Sequence, residues 1–490
     1  MTSIQEACTA SGIPLEQLEI FLLKTAPSFD VHKWSEFPEI NLVINNLFEE
    51  IKALRHSRGE RIRESDKVKR SIKVIVMDLW AAAKVSVNPY RYISKNKSDF
   101  AKETRYKKIF CKYDYFVGAI NDLVALGYIH ENLGYRYLAN AKRTRIKALP
   151  KLIDEILKPT YGVAGLIASK GNMALVQYNQ DLEMETIFLR DAEKNNVDYE
   201  DTDITRLMRK NLKAINDRLY QDRITLHITN SQYKEMLQEL SSKKNPKPSV
   251  DFTRNGLHRV FNNSSFEDGG RFYGGWWLNI PKDYRKYIEI GRKPTVELDY
   301  SGHHFRILYA MESLTPPDDP YDLPDFKRED QKTAGMIIIN ASDEGAAAHA
   351  IQSEGIKNVK RLIKALKVHH APIAKYFFTG EGNKLMYKDS ILAERVMLRM
   401  LESGSTILPV HDSFIVRNSY ETELEEIMQE EYERAFASTA KLKVKRTALK
   451  ATSEDRESQH PHEATIVNMN LKTLLQNLQE YSWETSIWGV

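Results

Sequence analysis

Cysteine is nearly absent: Cys8 and Cys111 are the only two in 490 residues. Two thiols cannot build a disulfide framework or a zinc site with cysteine spacing, and their scarcity suits a reducing compartment. Long apolar runs are missing as well, so a membrane span is excluded. The opening MTSIQEACTASGIP lacks the basic-then-apolar pattern of a secretory signal, and a cytoplasmic protein with no membrane partner is expected. An excess of one charge is lacking too: the formal net charge of +4 is too small to diagnose a partner. There is no internal repeat. What remains is ordinary globular material, 42% apolar and 28% charged, which excludes disorder as the main theme. This length holds roughly two to four domains.

The distribution of residues divides the chain. Residues 1–65 read as a helical segment, with LEQLEIFLLK and INLVINNLFEEIKAL carrying apolar residues at three- and four-residue intervals. Lys52 to Lys73 is dense in lysine and arginine, either a solvated face or an approach to phosphate. Within 66–150, SIKVIVMDLWAAAKV predicts one helix and RYKKIFCKYDYFVGAINDLVALG a second, with Phe116, Ile120, Leu123 and Val124 on one face. YIHENLGYRY follows as a possible strand pair. That order resembles a winged helix, in which the helix before the strands enters the major groove; Lys107, Lys108 and Lys112 stand near its start as candidate nucleic-acid contacts. A helical packing domain with a basic rim accounts for the same residues. Residues 151–250 read as a helical connecting or thumb-like region, ending in the exposed connection SSKKNPKPSVD. Residues 251–450 turn to glycine, aromatics and short strands, and 451–490 read as a polar loop, with His460 and His462, plus an amphipathic helix.

Two aspartates stand out. In STILPVHDSFIVRN, two apolar runs frame His411 and Asp412 as a hairpin frames its tip, yet His-Asp lacks the glycine or asparagine that two-residue turns favour. An aspartate there ordinarily accepts backbone hydrogen bonds. In KPTVELDYSGHHFRILYAMESL, a short strand ends at Asp299 and a helix begins directly after it, so Asp299 either caps that helix or is presented at an open sheet edge. Between the two lies DFKREDQKTAGMIIINASDEG, where Arg328, Lys332, Met336 and Asn340 recur at steps of four. Alone, that stripe is a solvated helix face. Together, two carboxylates able to hold two magnesium ions and an Arg-Lys pair able to neutralise a triphosphate suit phosphoryl transfer to a hydroxyl.

At these residues the chain resembles a known group. Asp299-Tyr300-Ser301 followed by Arg306-Ile307-Leu308 is similar to the first motif of family A DNA polymerases. Arg328 and Lys332 resemble the finger-helix motif that those enzymes share with single-subunit phage-type RNA polymerases, and Met336 looks more like the RNA polymerase version. His411-Asp412 is similar to the third motif of both, and His411-Asp412-Ser413-Phe414 to that of the RNA polymerases in particular. GGRFYGGW, with Arg271, resembles the segment that precedes the palm. The four segments come in family order and cover roughly residues 265–440.

The resemblance implies an α+β fold: a right-hand palm of antiparallel sheet with packed helices and reduced fingers, behind a mostly helical N-terminal region containing a winged-helix-like domain. It implies Asp299 and Asp412 as ligands of two Mg²⁺ ions and His411 beside the growing 3′ end. Lys332 would hold the incoming nucleoside triphosphate and protonate pyrophosphate, Arg328 would add charge, and Tyr300, His304, Met336, Asn340 and Arg271 would line the nucleotide site. The partners implied are a DNA template or duplex and nucleoside triphosphates.

The departures are informative. Asn340-Ala341 stand where the family carries tyrosine and glycine, and His304 where its DNA polymerases place the glutamate that excludes a 2′-hydroxyl. About thirty residues separate Asp299 from Lys332 and about eighty separate Lys332 from Asp412, both shorter than in the family, which argues for reduced fingers. The expected function is a compact DNA-binding nucleotidyltransferase leaning towards RNA or primer synthesis. A template-independent nucleotidyltransferase and a replication initiator with an inactive palm are the alternatives.

Overall fold

The computed structural model describes residues 15–24, 26–35, 38–85, 89–101, 105–106, 112–133, 143–160, 177–178, 185–241, 250–252 and 254–446. Lys107, Lys108, His460, His462, the segment 451–490 and most of the 241–251 connection lie outside them. The chain is mixed α+β, about half helical, with several small sheets.

Apolar spacing builds the N-terminal part. Helix α1 (Pro38–Ser57) buries Ile40, Val43, Ile44, Leu47, Phe48 and Ile51, one face of a 3.6-residue period. Helix α2 (Ser65–Val85) is buried nearly all round from Ser71 to Ala82 and so runs through the middle of this core. Strands β1 (Arg91–Ile93), β2 (Ile129–Asn132) and β3 (Thr144–Ala148) form an antiparallel sheet in the order β1-β3-β2. Helix α3 (Tyr113–Ala125) lies between β1 and β2 in sequence and is pinned to α1 by Arg55, whose guanidinium sits 2.7 Å from buried Asp122. The helix expected from Arg105 onward therefore starts at Tyr113. Arg105 is drawn away by Glu185, Asp198 and Asp201, and Lys112 becomes the residue just before the first turn. Phe116, Ile120 and Leu123 are buried as expected, whereas Val124 is half-buried. The first strand of the expected pair is β2, and the second half of YIHENLGYRY, from residue 134 on, lies outside the described residues.

The second part packs helices on a curled antiparallel sheet. Helix α4 (Asp203–Gln221), begun by a reciprocal Thr202–Thr205 capping box, buries Met208, Leu212, Ile215 and Leu219 in the same apolar core as the sheet. Strands β4 (Ile224–Leu226), β5 (His258–Phe261), β6 (Gly269–Tyr273), β7 (Ile288–Ile290) and β8 (Lys293–Tyr300) follow, the last continuing into helix α5 (His303–Met311). Helix α6 (Arg328–Asn340), two further short helices and the long helix α7 (Gly382–Glu402) precede the hairpin β9 (Leu408–Val410) and β10 (Ser413–Arg417). Helix α8 (Glu421–Phe436) and strand β11 (Leu442–Arg446) close the described chain. The sheet order is β9-β10-β8-β7-β4, with β11 also paired to β8. No described helix is long and apolar enough to cross a membrane.

Two tight hairpins show opposite turn chemistry. Between β7 and β8, Gly291 and Arg292 both take φ near +60°, as a type I′ turn requires. Between β9 and β10, His411 alone is left-handed, at φ 60°, where glycine is usual. An L-residue there costs about 1–2 kcal/mol. The surrounding pairs Val410–Ser413 and Asp299–Ser413 hold the turn in place against that cost.

Candidate active site

Strand alternation presents the first carboxylate. Along β8, Val296, Leu298 and Tyr300 point into the core, so Thr295, Glu297 and Asp299 share the opposite face. The hairpin then brings the second carboxylate alongside, because the Tyr300 amide donates to the Asp412 carbonyl at 3.1 Å. Two aspartates separated by more than a hundred residues thus stand at the ends of adjacent strands. Asp412 retains some solvent access although protein surrounds it on most sides. Burial, Asp389 and Asp299 together raise its pKa above the ordinary carboxylate value, because each disfavours another negative charge.

Asp389 is the residue that sequence reasoning missed. It lies on α7, fully enclosed, with Arg271 Nε 2.7 Å from one carboxylate oxygen and His303 Nε2 3.1 Å from the other. Burial alone would raise its pKa, but Arg271 and His303 outweigh that and hold it well below the ordinary range. The signal was present: Leu385, Asp389, Leu392 and Val396 continue one buried stripe, and a carboxylate in an apolar stripe needs a partner. Five residues further along α7, Glu394 accepts from fully buried Arg259 at 2.8 Å, locking the helix to β5.

The nucleotide-site expectations fare unevenly. Tyr300 is corrected: its side chain is in the core, its hydroxyl donates to the Met428 carbonyl at 2.8 Å, and its ring stacks on His303. His304 is buried with Nε2 3.0 Å from Arg271 Nη2, and burial plus that cation lower its pKa to about 3. Since the guanidinium donates, Nε2 of a neutral imidazole accepts. Arg271 therefore links Asp389 to His304, and it also acts electrostatically on Asp412. His411 has its ring edge-on to Tyr273 at 5.9 Å, and burial followed by Arg271 lowers its pKa.

On α6 the stripe forms as the steps of four require: Arg328, Lys332 and Asn340 are exposed and Met336 is half-buried. Arg328 is not a free cation, however, because Asp319 accepts two hydrogen bonds from it, at 2.6 and 3.1 Å. Asn340 turns its amide back onto the Met336 carbonyl at 2.7 Å. Lys332 lies within electrostatic reach of Lys282, which itself feels Lys445, Asp299 and Glu297. Lys445 on β11 reaches both carboxylates of that second face, Glu297 at 2.8 Å and Asp299 at 3.3 Å.

Among the described residues no group of three or more His, Cys, Asp or Glu forms a metal cage. Asp299, paired to Lys445, and Asp412 are two neighbouring carboxylates, a donor type that magnesium takes together with water and phosphate oxygens. The like-charge strain on Asp412 fits a divalent cation there. No family model matches the chain, and no curated protein matches it in sequence.

Proposed function

We propose that this chain is a nucleic-acid polymerase: a nucleotidyltransferase that adds nucleotides to a 3′-hydroxyl at the Asp299–Asp412 cleft. The observation that carries the reading is the register that sets two aspartates side by side, one of them with its charge disfavoured by the other. Asp299 and Asp412 would hold two Mg²⁺ ions. Bound magnesium would acidify a ligated hydroxyl and offset phosphate charge.

The chain's own groups account for the remaining chemistry. The 3′-oxygen attacks the α-phosphorus, a new phosphodiester bond forms, and the bond to pyrophosphate breaks as the hydroxyl proton passes to water. Lys332, exposed on α6, pairs with the polyphosphate and donates a proton to the departing pyrophosphate. His411, held in a left-handed turn and largely neutral at pH 7, contacts the 3′ end without adding a competing positive charge. Arg271 and Asp389 join β6 to α7 and set the charge environment of Asp412. In the palm reading, the curled sheet is the palm and α6 the reduced finger helix.

The N-terminal order of helix, strand, helices and two strands, with sheet order β1-β3-β2, supports the winged-helix resemblance. Its α3 contains no lysine or arginine, so grip on duplex phosphate would come from flanking cations such as Lys112. Asn340, folded onto its own helix where the family stacks a tyrosine at the template, favours a second reading as a template-independent nucleotidyltransferase.

Purified protein with Mg²⁺ should be offered labelled rNTPs or dNTPs on primed template, on unprimed template and with no template, beside Asp412→Ala. Template-dependent product that disappears in the variant supports the polymerase. Template-free product points to the second reading, and equal product from the variant removes the palm assignment.

A further inference from the structure

Next to Asp299, on the same face of β8, the wall of the sheet opens into a cavity of about 140 Å³. At about 30 Å³ per water it holds a few waters or one compact anionic group, far less than a nucleobase site needs. Its charged lining is Lys282, Arg285, Lys286 and Lys445 against Asp283 and Glu297, four cations to two carboxylates. Glu297 is already engaged: burial opposes its charge, yet Arg285, Lys445 and Ser413 hold it ionised. Arg285 Nε, although 3.3 Å from Glu297, is buried with no hydrogen-bond acceptor. Lys282 has no hydrogen bond or ion pair among the described residues, and burial, Lys445 and Lys332 lower its pKa. The pocket is thus short of acceptors and of negative charge, the opposite of a site made to hold a metal ion.

We propose that this pocket is a subsite for a phosphate group, supplied by the backbone of a nucleic-acid strand or by the polyphosphate of a nucleotide. The proposal deepens the polymerase reading and rests on it. Glu297 and Asp299 are two residues apart on one strand, so the pocket lies about 7 Å from the catalytic carboxylate. Lys445 bridges them, linking what occupies the pocket to the charge at Asp299. A phosphate there would be neighbour to the reacting one, with exposed Lys282 as its donor and Lys445 beside it.

The test uses the full-length protein in EDTA, so that binding is read without turnover. Affinity for a labelled single-stranded DNA 12-mer and for ATP is measured from low to moderate salt in wild type, Lys282→Ala and Lys282→Arg. Lys282 is exposed, and circular dichroism checks that each variant folds. If the strand supplies the phosphate, Lys282→Ala weakens 12-mer binding several-fold and lowers the slope of log K against log salt by about 0.7, the value for one contact on a single strand. Lys282→Arg restores both. If the nucleotide supplies it, the loss and rescue occur with ATP instead. Unchanged affinity and slope for both ligands overturn the subsite. Incorporation by wild type and Asp412→Ala, run in parallel, separates the two claims: a Lys282 effect without incorporation retains the phosphate pocket and rejects the polymerase, whereas incorporation without a Lys282 effect does the reverse.

Discussion

Arg271 on β6 and Asp389 on α7 meet at 2.7 Å, and this enclosed pair sets the electrostatics of the Asp412 turn from opposite directions. Asp389 raises the Asp412 pKa and Arg271 lowers it. Because the partners of Asp389 depress its pKa, its stabilising contribution is present above the ordinary carboxylate value near pH 4 and is lost as pH falls below it. Asp389→Asn should therefore cost about 3 kcal/mol at pH 7, having left Arg271 uncompensated, with the gap to wild type narrowing in acid. Urea unfolding at pH 7 and pH 3 reads this out; a pH-independent difference would contradict it.

Asp412 has the opposite sign. A raised carboxyl pKa means that the folded state becomes less favoured as pH climbs through that value. In EDTA at pH 7, Asp412→Asn should melt at or above the wild-type temperature, and with Mg²⁺ present it should show no incorporation. Adding Mg²⁺ should stabilise wild type, by about 1.4 kcal/mol at a tenfold excess over Kd, and leave the variant unmoved. Thermal shift with and without Mg²⁺ decides the matter.

His411→Gly separates stability from function. Removing a left-handed L-residue should raise stability by up to about 1 kcal/mol, since glycine adopts φ 60° freely. The same change should reduce incorporation, because backbone strain held at a site usually serves it. A less stable variant would show that the ring's packing on Tyr273 outweighs the strain.

The two α6 cations should differ. Lys332→Ala is expected to lower the incorporation rate about a hundredfold or more without affecting folding, as for loss of a general acid. Arg328→Ala should have a much smaller effect, its charge being shared with Asp319 across an exposed pair worth about 1 kcal/mol or less. Asp319→Asn should then tighten nucleotide binding by releasing Arg328. Steady-state kinetics of the three variants test the order.

Local pattern was legible wherever a side chain's surroundings follow from its own neighbours. The strand ending near Asp299, the helix after it and the stripe on α6 lie as periodicity required, and the hairpin around His411-Asp412 forms from its flanking apolar runs against the turn preference of its tip. Tyr300 was misjudged because a strand's period of two turns it away from the face that carries Asp299. The start of α3 was misjudged because Arg105 is bound by acids some eighty to ninety-six residues away, which no local window contains.

By itself the sequence determined which residue types recur at helical or strand spacing and where two aspartates interrupt apolar runs, because those features depend on covalent order and a fixed backbone period. Only the tertiary structure decided that Asp299 and Asp412 stand at the ends of adjacent strands, that Asp389 acts electrostatically on Asp412, and that Lys282, Arg285 and Lys445 converge on one pocket. The reason is physical: charge interactions fall off with distance through space, and sheet register and packing, not separation along the chain, set that distance.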